Sequence, residues 1–241
     1  LEGADAVLVR SSTLISAAAI EGAKQLKVIG RAGAGVDTID VEAATAKGIA
    51  VMNAPDGNTL AAAEHAISLL FSLARHVPKA DAGMKAGLWP KAGLTGFELE
   101  GKRLGVIGLG RIGSTVARKA QGIGMDVAAF DPFLPAAAAG KGSVALKTLD
   151  ELLAWADIIT LHIPRTKDTT HLIGEAQMRA MKKGAYLVNA ARGGLVDEDE
   201  LVRLLDEGHL AGAALDTFAT EPLQADSPLR AHPKLILTPH L

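Results

Sequence analysis

The sequence predicts an α/β protein built on parallel sheets, and three observations support this fold class. Short apolar runs bounded by turn residues recur along the 241 residues, helical patterns fill the intervals between them, and the runs are continuous rather than alternating. Strands that alternate with helices form parallel sheets, and a strand covered on both faces has no polar side. With 49% hydrophobic residues, the chain can bury a core in one large or two modest domains.

The first part of the chain contains three predicted strands, at residues 6–9, 26–30 and 49–52. A long alanine-rich helical pattern follows at residues 60–75, and the Val77-Pro78 sequence breaks it. We therefore place a domain boundary near Asn58. This boundary gives a first domain of residues 1–57 and a second domain of residues 58–241.

The second part contains six predicted strands, at residues 104–107, 127–130, 158–161, 185–189, 211–215 and 235–237. Helical patterns cover residues 111–122 and 197–207 between them. The acidic residues 197–200 complement the positive end of the second helix dipole, so they need no ligand. We expect the low-complexity segment 135–142 to be a surface loop or a loose helix.

The composition argues against several classes of function. The chain has 25 Lys and Arg residues against 27 Asp and Glu residues, so it offers no basic field for nucleic acid. No uncharged apolar window reaches the roughly 18 residues of a membrane-spanning candidate, and the N-terminus does not read as a secretory signal. Because there is no cysteine, disulfides and thiolate zinc sites are excluded. We expect a cytoplasmic protein that binds neither nucleic acid, membrane nor metal.

A glycine fingerprint directly follows the predicted strand at residues 104–107. Gly108 permits a tight turn, Gly110 lets a pyrophosphate approach the backbone, and Gly113 lets helix and strand pack closely. The next strand ends in Asp131, where a carboxylate accepts hydrogen bonds from a ribose diol and repels a 2′-phosphate. The sequence therefore predicts a dinucleotide site and favours NAD over NADP.

Polar residues follow the later predicted strands, at the end where ligands bind in open α/β sheets. Arg192, Glu221 and His240 each lie beyond a different strand. In the reduction of a ketone, Arg192 can polarise the carbonyl and His240 can act as the acid. Glu221 can fix the tautomer of the histidine and stabilise its charged form. We assign no catalytic role to five other histidines: His65, His76, His171, His209 and His232.

A set of ordered motifs covers nearly the whole chain. It comprises VRS at 9–11, GRAGAGVD at 30–37, NAP at 53–55, AEH at 63–65, the glycine fingerprint, NAARG at 189–193, Asp216, EP at 221–222 and TPH at 238–240. With these motifs the chain resembles the D-isomer-specific 2-hydroxyacid dehydrogenases, most closely the D-3-phosphoglycerate dehydrogenase branch. The resemblance implies a Rossmann-type doubly wound parallel sheet with a second, truncated flavodoxin-like substrate domain. It also implies NAD as the cofactor and a homodimer.

The resemblance further implies roles for individual residues. The implied catalytic residues are Arg192, Glu221 and His240. Backbone N–H groups of Gly33, Ala34 and Gly35 would hold the substrate carboxylate, and Arg10 and Arg31 match substrate-side arginines of the phosphoglycerate branch. The implied cofactor contacts are Gly108, Gly110, Arg111, Ile112, Gly113, Asp131, Ile163, Ala190 and Asp216. Asp216 would bind the nicotinamide carboxamide.

Two functional hypotheses follow. The first is an NAD-dependent oxidoreductase acting on a D-2-hydroxy or 2-keto acid, with 3-phosphoglycerate, and hence the first step of serine synthesis, as one candidate. The alternative is a non-enzymatic NAD(H)-sensing protein, because corepressors that resemble this family keep the fold.

The ends and the apolar segment of the chain give two more expectations. Residue 1 is Leu and the chain stops just after an apolar strand, so we expect both ends to be cut. Such a chain should bind NADH but turn over 2-keto acids slowly. The apolar helical pattern at residues 60–73, with Trp89 after it, predicts a homodimer through this region.

Overall fold

The computed structural model describes residues 1–10, 13–134 and 144–241 of the chain. These residues form two compact units, Leu1–Thr59 and Leu60–Leu241. The division follows residue 59, whereas the sequence predicts a boundary after residue 57. The roles predicted for the two parts, a partial substrate domain and a dinucleotide-binding domain, stay predictions.

The first unit is a parallel sheet whose strands are connected by short helices. Its elements are β1 (Ala6–Val9), α1 (Ala17–Gly22), β2 (Val28–Arg31), α2 (Val41–Ala46) and β3 (Ala50–Asn53). The strands pair in the order β1-β2-β3. Ser16 and Asp40 cap the two helices, because each side chain accepts a backbone N–H of the first turn. Ile20, Ile29 and Ala44 lie buried at the centre of this unit's core.

The second unit is a larger parallel sheet, and the chain enters it through a long helix. Its helices are α3 (Thr59–Arg75), α4 (Val77–Lys85), α5 (Arg111–Gly122), α6 (Leu149–Trp155), α7 (Glu175–Ala180), α8 (Glu198–Asp206) and a short 3-10 helix (Pro228–Ala231). Its strands are β4 (Arg103–Ile107), β5 (Asp126–Phe130), β6 (Ala145–Leu146), β7 (Ile158–Leu161), β8 (Ala185–Asn189), β9 (Leu210–Leu215) and β10 (Leu235–Leu237). These described strands pair in the order β10-β9-β8-β7-β4-β5-β6.

Helices cover both faces of the larger sheet, so its strands contribute to two cores. Leu104 and Val106 of β4 pack with α3 and α5 on one face, whereas Ile107 packs with α6, α7 and α8 on the other. Leu187 and Val188 of β8 divide in the same way. This arrangement explains the continuous apolar runs of the sequence. It confirms the predicted fold class, a doubly wound parallel sheet accompanied by a smaller α/β unit.

Three further points complete the comparison of this fold with the sequence. The predicted break at Val77-Pro78 is confirmed, because α3 ends at Arg75 and His76 adopts a left-handed backbone (φ 52°); a second helix that was not predicted, α4, then begins at Val77 with Pro78 in its first turn. Proline suits that position, since the first N–H groups of a helix have no partner within it. The two-residue strand β6 was not predicted, because so short a run gives no periodic signal. The expected loop at 135–142 lies outside the described residues.

The acidic run before α8 has the structural role that the sequence predicts. The Asp197 side chain accepts the N–H of Glu200 at 3.2 Å and so caps the helix, which spans Glu198–Asp206 rather than 197–207.

Within the described residues, no helix has the length and apolarity needed to cross a membrane.

Candidate active site

The site of the second unit lies where the strand order reverses. The chain passes from β4 to β5 on one side and reaches β7 on the other side of β4, so the connections leave β4 and β7 in opposite directions. A crevice opens at the carboxyl ends of strands at such a point, and ligands bind there. The residues that directly follow the strands around this crevice are Gly108 after β4, Asp131 after β5, His162 after β7, Ala190 after β8, Asp216 after β9 and Thr238 after β10.

The glycine loop is shaped by two contacts and one open space. Gly108 has a positive φ of 89°, and a Cβ there would lie 2.5 Å from Ile163 Cγ2. A Cβ on Gly113 would lie 1.9 Å from the carbonyl oxygen of Gly108. Gly110, by contrast, has nothing within 4 Å of that position and precedes α5 without a side-chain cap. The fold therefore needs Gly108 and Gly113 for its own packing, whereas the space at Gly110 and the open helix N–H groups fit a pyrophosphate.

Asp131 is tied to the same loop. Its Oδ2 accepts the N–H of Leu109 at 2.9 Å, and its Oδ1 accepts the N–H of Phe133 at 3.0 Å. A carboxylate has about four acceptor positions, so two bonds leave capacity for a ribose diol. Asp131 thus holds the glycine loop in place and still fits the cofactor role predicted for it. The other implied contacts Arg111, Ile112, Ile163 and Ala190 border this edge, with Arg111 and Ile112 opening α5.

His162 follows β7 behind the glycine loop and was not singled out from the sequence. Its Nε2 lies 3.0 Å from Thr160 Oγ1, and its Cβ lies 3.4 Å from where a Cβ on Gly113 would be. Burial lowers the pKa of His162 to about 4, because the charged imidazole would lose its hydration. The residue is therefore a neutral packing element beneath the dinucleotide site at neutral pH.

This burial predicts an acid-dependent loss of stability. The unfolded chain protonates His162 near pH 6.5, whereas the folded chain does so only near pH 4, so stability falls as the pH drops between these values. His162→Asn, which can still bond to Thr160, should remove up to roughly 1.4 kcal/mol of this loss per pH unit. Denaturant unfolding at pH 7 and pH 5 measures the effect. His171→Asn, at an exposed left-handed position, is the control; parallel pH curves for wild type and His162→Asn would contradict the prediction.

The loop that carries Arg192 is held by a buried asparagine at the end of β8. Asn189 Nδ2 donates to the carbonyl of Arg192 at 2.8 Å, and Asn189 Oδ1 accepts the N–H of Ala191 at 3.1 Å. A Cβ on Gly193 would lie 1.7 Å from the carbonyl oxygen of Phe218, so this loop packs directly on the one after β9. Asn189 was not predicted as a functional residue, although a polar side chain at the end of an apolar strand could have pointed to it.

Glu221 and His240 form a hydrogen-bonded pair. His240 Nδ1 lies 2.7 Å from Glu221 Oε2, while Glu221 Oε1 accepts the N–H of Phe218 at 3.0 Å. The loop after β9 that leads to Glu221 is held further by Glu198, whose Oε1 accepts the N–H of Ala219 at 2.6 Å. Among the described residues, none bonds to the Nε2 of His240. An imidazole with a carboxylate on one nitrogen and the other nitrogen available is the arrangement that proton transfer requires.

Asp216, at the end of β9, is almost fully buried and lies beside this pair. Its backbone carbonyl accepts the N–H of His240 at 2.9 Å. Its carboxylate bonds to Thr238 and also to His65, a histidine to which the sequence assigned no role. A helix pattern shows which face of α3 is apolar but cannot reveal a partner so distant along the chain. Among the described residues, no group of three His, Cys, Asp or Glu side chains is placed to hold a metal ion.

The predicted substrate residues lie in the first unit and follow or end strands of its sheet: Arg10, Arg31, Gly33, Ala34 and Gly35. The Arg31 side chain folds back, because its Nη1 donates to the carbonyl of Ala32 at 3.0 Å and packs against Gly33. Asn53 Nδ2 donates to the carbonyl of Ala34 at 2.7 Å. The segment at 31–35 is thus a hydrogen-bonded turn at the carboxyl end of β2, the central strand of this sheet. Ser11 of the motif at 9–11 lies outside the described residues.

Comparison with known proteins agrees with this geometry. Residues 67–241 match the family model of the D-isomer specific 2-hydroxyacid dehydrogenase NAD binding domain. The chain belongs to this dehydrogenase family. The expected resemblance is therefore confirmed, and so is NAD as the cofactor, because the matched part of the family is its NAD binding domain.

Individual relatives of the dehydrogenase family extend the likeness over the whole chain. The D-3-phosphoglycerate dehydrogenase of Archaeoglobus fulgidus is 49% identical over 237 residues, which is 98% of this chain and 45% of that protein. Among solved structures, the TT0316 protein of Thermus thermophilus has a TM-score of 0.91 at 39% identity, covering 99% of this chain and 76% of that one. A D-lactate dehydrogenase of Aquifex aeolicus, complexed with NAD and lactic acid, has a TM-score of 0.86 at 32% identity, covering 99% and 76%. The chain spans about half the length of the curated relatives it matches.

Proposed function

We propose that the protein transfers a hydride between NAD(H) and a D-2-hydroxy or 2-keto acid. The observation that carries the proposal is the Glu221–His240 pair, 2.7 Å apart, at the same sheet edge as the glycine loop. The similarity to D-3-phosphoglycerate dehydrogenases supports 3-phosphoglycerate as the substrate. The alternative of a non-enzymatic NAD(H) sensor is not favoured, because the curated relatives are named as dehydrogenases.

The residues of this chain divide the chemistry between them. When bound, NAD would supply the hydride acceptor, and the glycine loop with Asp131 would hold it. Neutral His240 takes the proton of the substrate hydroxyl through Nε2, and Glu221 stabilises the imidazolium that forms. Arg192 holds the substrate and polarises the oxygen that becomes a carbonyl. In the reducing direction the same imidazolium returns its proton to the carbonyl oxygen.

Spectrophotometric NADH consumption tests the proposal. The natural protein that carries this sequence is mixed with phosphohydroxypyruvate, hydroxypyruvate and glyoxylate in parallel, and we expect steady turnover that is fastest with phosphohydroxypyruvate. NADH binding without turnover of any of the three acids would contradict the proposed function.

We also propose a homodimer formed through the α3 and α4 region. Its support is a group of exposed large apolar side chains on and after these helices, including Leu60 at 61%, Phe71 at 42% and Trp89 at 77% exposure. Extensive exposed apolar surface is typical of interaction sites, and closed twofold dimers are the commonest oligomers. A cytoplasmic location stays part of the proposal, as the composition predicts.

Cofactor choice gives a prediction about Asp131. Asp131→Ala should weaken NADH binding and narrow the gap to NADPH by roughly 1 to 3 kcal/mol, because a charged acceptor and the 2′-phosphate repulsion are both lost. Part of the weakening arises because Leu109 loses its acceptor. Titration calorimetry with both nucleotides measures the change. Asp126→Ala, at the opposite end of the same strand, is the control; an unchanged NADH-to-NADPH ratio in Asp131→Ala would contradict the prediction.

A further inference from the structure

The carboxylate of Asp216 is bonded on one oxygen by three donors. Oδ1 accepts the hydroxyl of Thr238 at 2.5 Å and the N–H of Leu241 at 3.1 Å, and it lies 3.1 Å from His65 Nε2. The Asp216 side chain is only 3% exposed and that of His65 is 16% exposed. Within the described residues, Oδ2 has no bonding partner. One oxygen is therefore saturated by the protein, and the other is left as an acceptor.

The three side chains fit together in one hydrogen-bond order. Thr238 donates to Asp216, so its oxygen can accept from His65 Nε2, which lies 3.1 Å away. Nε2 is then the protonated nitrogen of His65, whichever charge the ring carries. A buried carboxylate is stable only when it is paired and hydrogen-bonded. His65, reaching in from α3, supplies the group that can pair with it.

The family resemblance implies that Asp216 binds the nicotinamide carboxamide, and the position of this acceptor is consistent with that ligand. With the pyrophosphate at the glycine loop after β4, a dinucleotide extends along the edge toward the ends of β8, β9 and β10. Asp216 lies at this part of the edge, beside His240, and the reacting nicotinamide ring must lie near both residues. The nicotinamide ring carries a carboxamide NH₂, and a carboxylate oxygen is its natural acceptor.

We propose that His65 and Thr238 are positioning residues: they hold Asp216 by Oδ1 and thereby orient Oδ2 for the carboxamide contact that the family resemblance implies. The proposal rests on the proposed function for the placement of the nicotinamide at this edge. The position of Asp216 also matters for His240, because the backbone carbonyl of Asp216 accepts the N–H of His240. Thus His65 in α3 acts on the cofactor through Asp216 without touching it.

Binding of two ligands that differ only at the nicotinamide end tests the proposal. NADH carries the carboxamide, whereas ADP-ribose carries the adenine, both riboses and the pyrophosphate without it. His65→Leu and Thr238→Val should each weaken NADH binding roughly tenfold, since a bond to a charged group loses its support. ADP-ribose binding should stay within about twofold in both variants. His65→Gln and Thr238→Ser keep a donor at the same place and should recover most of the NADH affinity.

The outcomes separate a positioning role from a structural one. Retained ADP-ribose binding shows that each variant is folded, so selective loss of NADH affinity supports the proposal. Equal loss of both ligands, or unchanged NADH affinity in both His65→Leu and Thr238→Val, would overturn it. Because the experiment measures binding, it tests the positioning role even if the protein turns over no 2-keto acid. An absence of turnover would count against the proposed function alone.

Discussion

For the proposed function we expect His240→Ala to lower turnover of the 2-keto acid by about 100-fold or more, while NADH affinity should stay within about twofold. General acid and base catalysis by a positioned side chain contributes about 100-fold to 10,000-fold, and His240 is the group whose Nε2 is available for it. Its ring contributes nothing to the glycine loop, so binding of the dinucleotide should not depend on it. Steady-state kinetics and calorimetry on the same preparations measure the two quantities.

Two further variants sharpen this prediction. Glu221→Gln keeps a hydrogen-bond acceptor beside Nδ1 but removes the charge that stabilises the imidazolium, so we expect a smaller fall of roughly tenfold. His232→Ala is the matched control, because His232 precedes β10 and therefore lies at the opposite end of the strand that leads to His240. If His240→Ala kept turnover within about threefold of wild type, the histidine would not be the proton-transfer group.

The second large effect separates folding from binding at two glycines of one loop. Gly113→Ala places a methyl group 1.9 Å from the carbonyl oxygen of Gly108, so α5 must move away from β4. We expect a loss of roughly 1 to 3 kcal/mol in the free energy of unfolding, the usual cost of overpacking, together with loss of detectable NADH binding. Gly110→Ala meets nothing within 4 Å at an ordinary negative φ, so stability should be unchanged, yet NADH should bind at least about tenfold more weakly.

Chemical unfolding and calorimetry on both variants give the result. Gly122→Ala is the control, because it lies in the last turn of the same helix with nothing within 4 Å. It should leave NADH binding unchanged and should stabilise the helix slightly. Full NADH affinity in Gly110→Ala would show that the open space at this glycine does not receive the pyrophosphate.

Much of the fold could be predicted because its signals are local. Each continuous apolar run proved to be a strand, and errors were confined to ends, as for the run at 26–30, which is the strand Val28–Arg31. The glycine loop was predictable as well, because the turn and the helix start that require these glycines lie within a few residues of them. The two-residue strand β6 could not be found, because its pairing with β5 is the only feature that makes it a strand.

The supporting residues of the site could not be predicted for a different reason. His65 meets Thr238 across 173 positions of the chain, and no local pattern in α3 records that partner. Glu198 holds a loop through a bond that depends on the fold being complete, whereas Asn189, a polar residue that ends an apolar strand, is the one supporting residue with a local signal. Sequence patterns therefore point to candidate ligand-binding residues more readily than to the residues that hold those candidates in place.

The contact of Gly193 with Phe218 has a consequence for attempts to alter the range of acids accepted. Two backbones meet there with no room for a methyl group. Asn189, which donates to the carbonyl of Arg192, and Glu221, which accepts the N–H of Phe218, hold the loops on either side. The loops that present Arg192 and Glu221 thus form one stiff piece, and random changes within it would move both residues together. A directed-evolution library should therefore leave residues 189–194 and 216–222 unaltered.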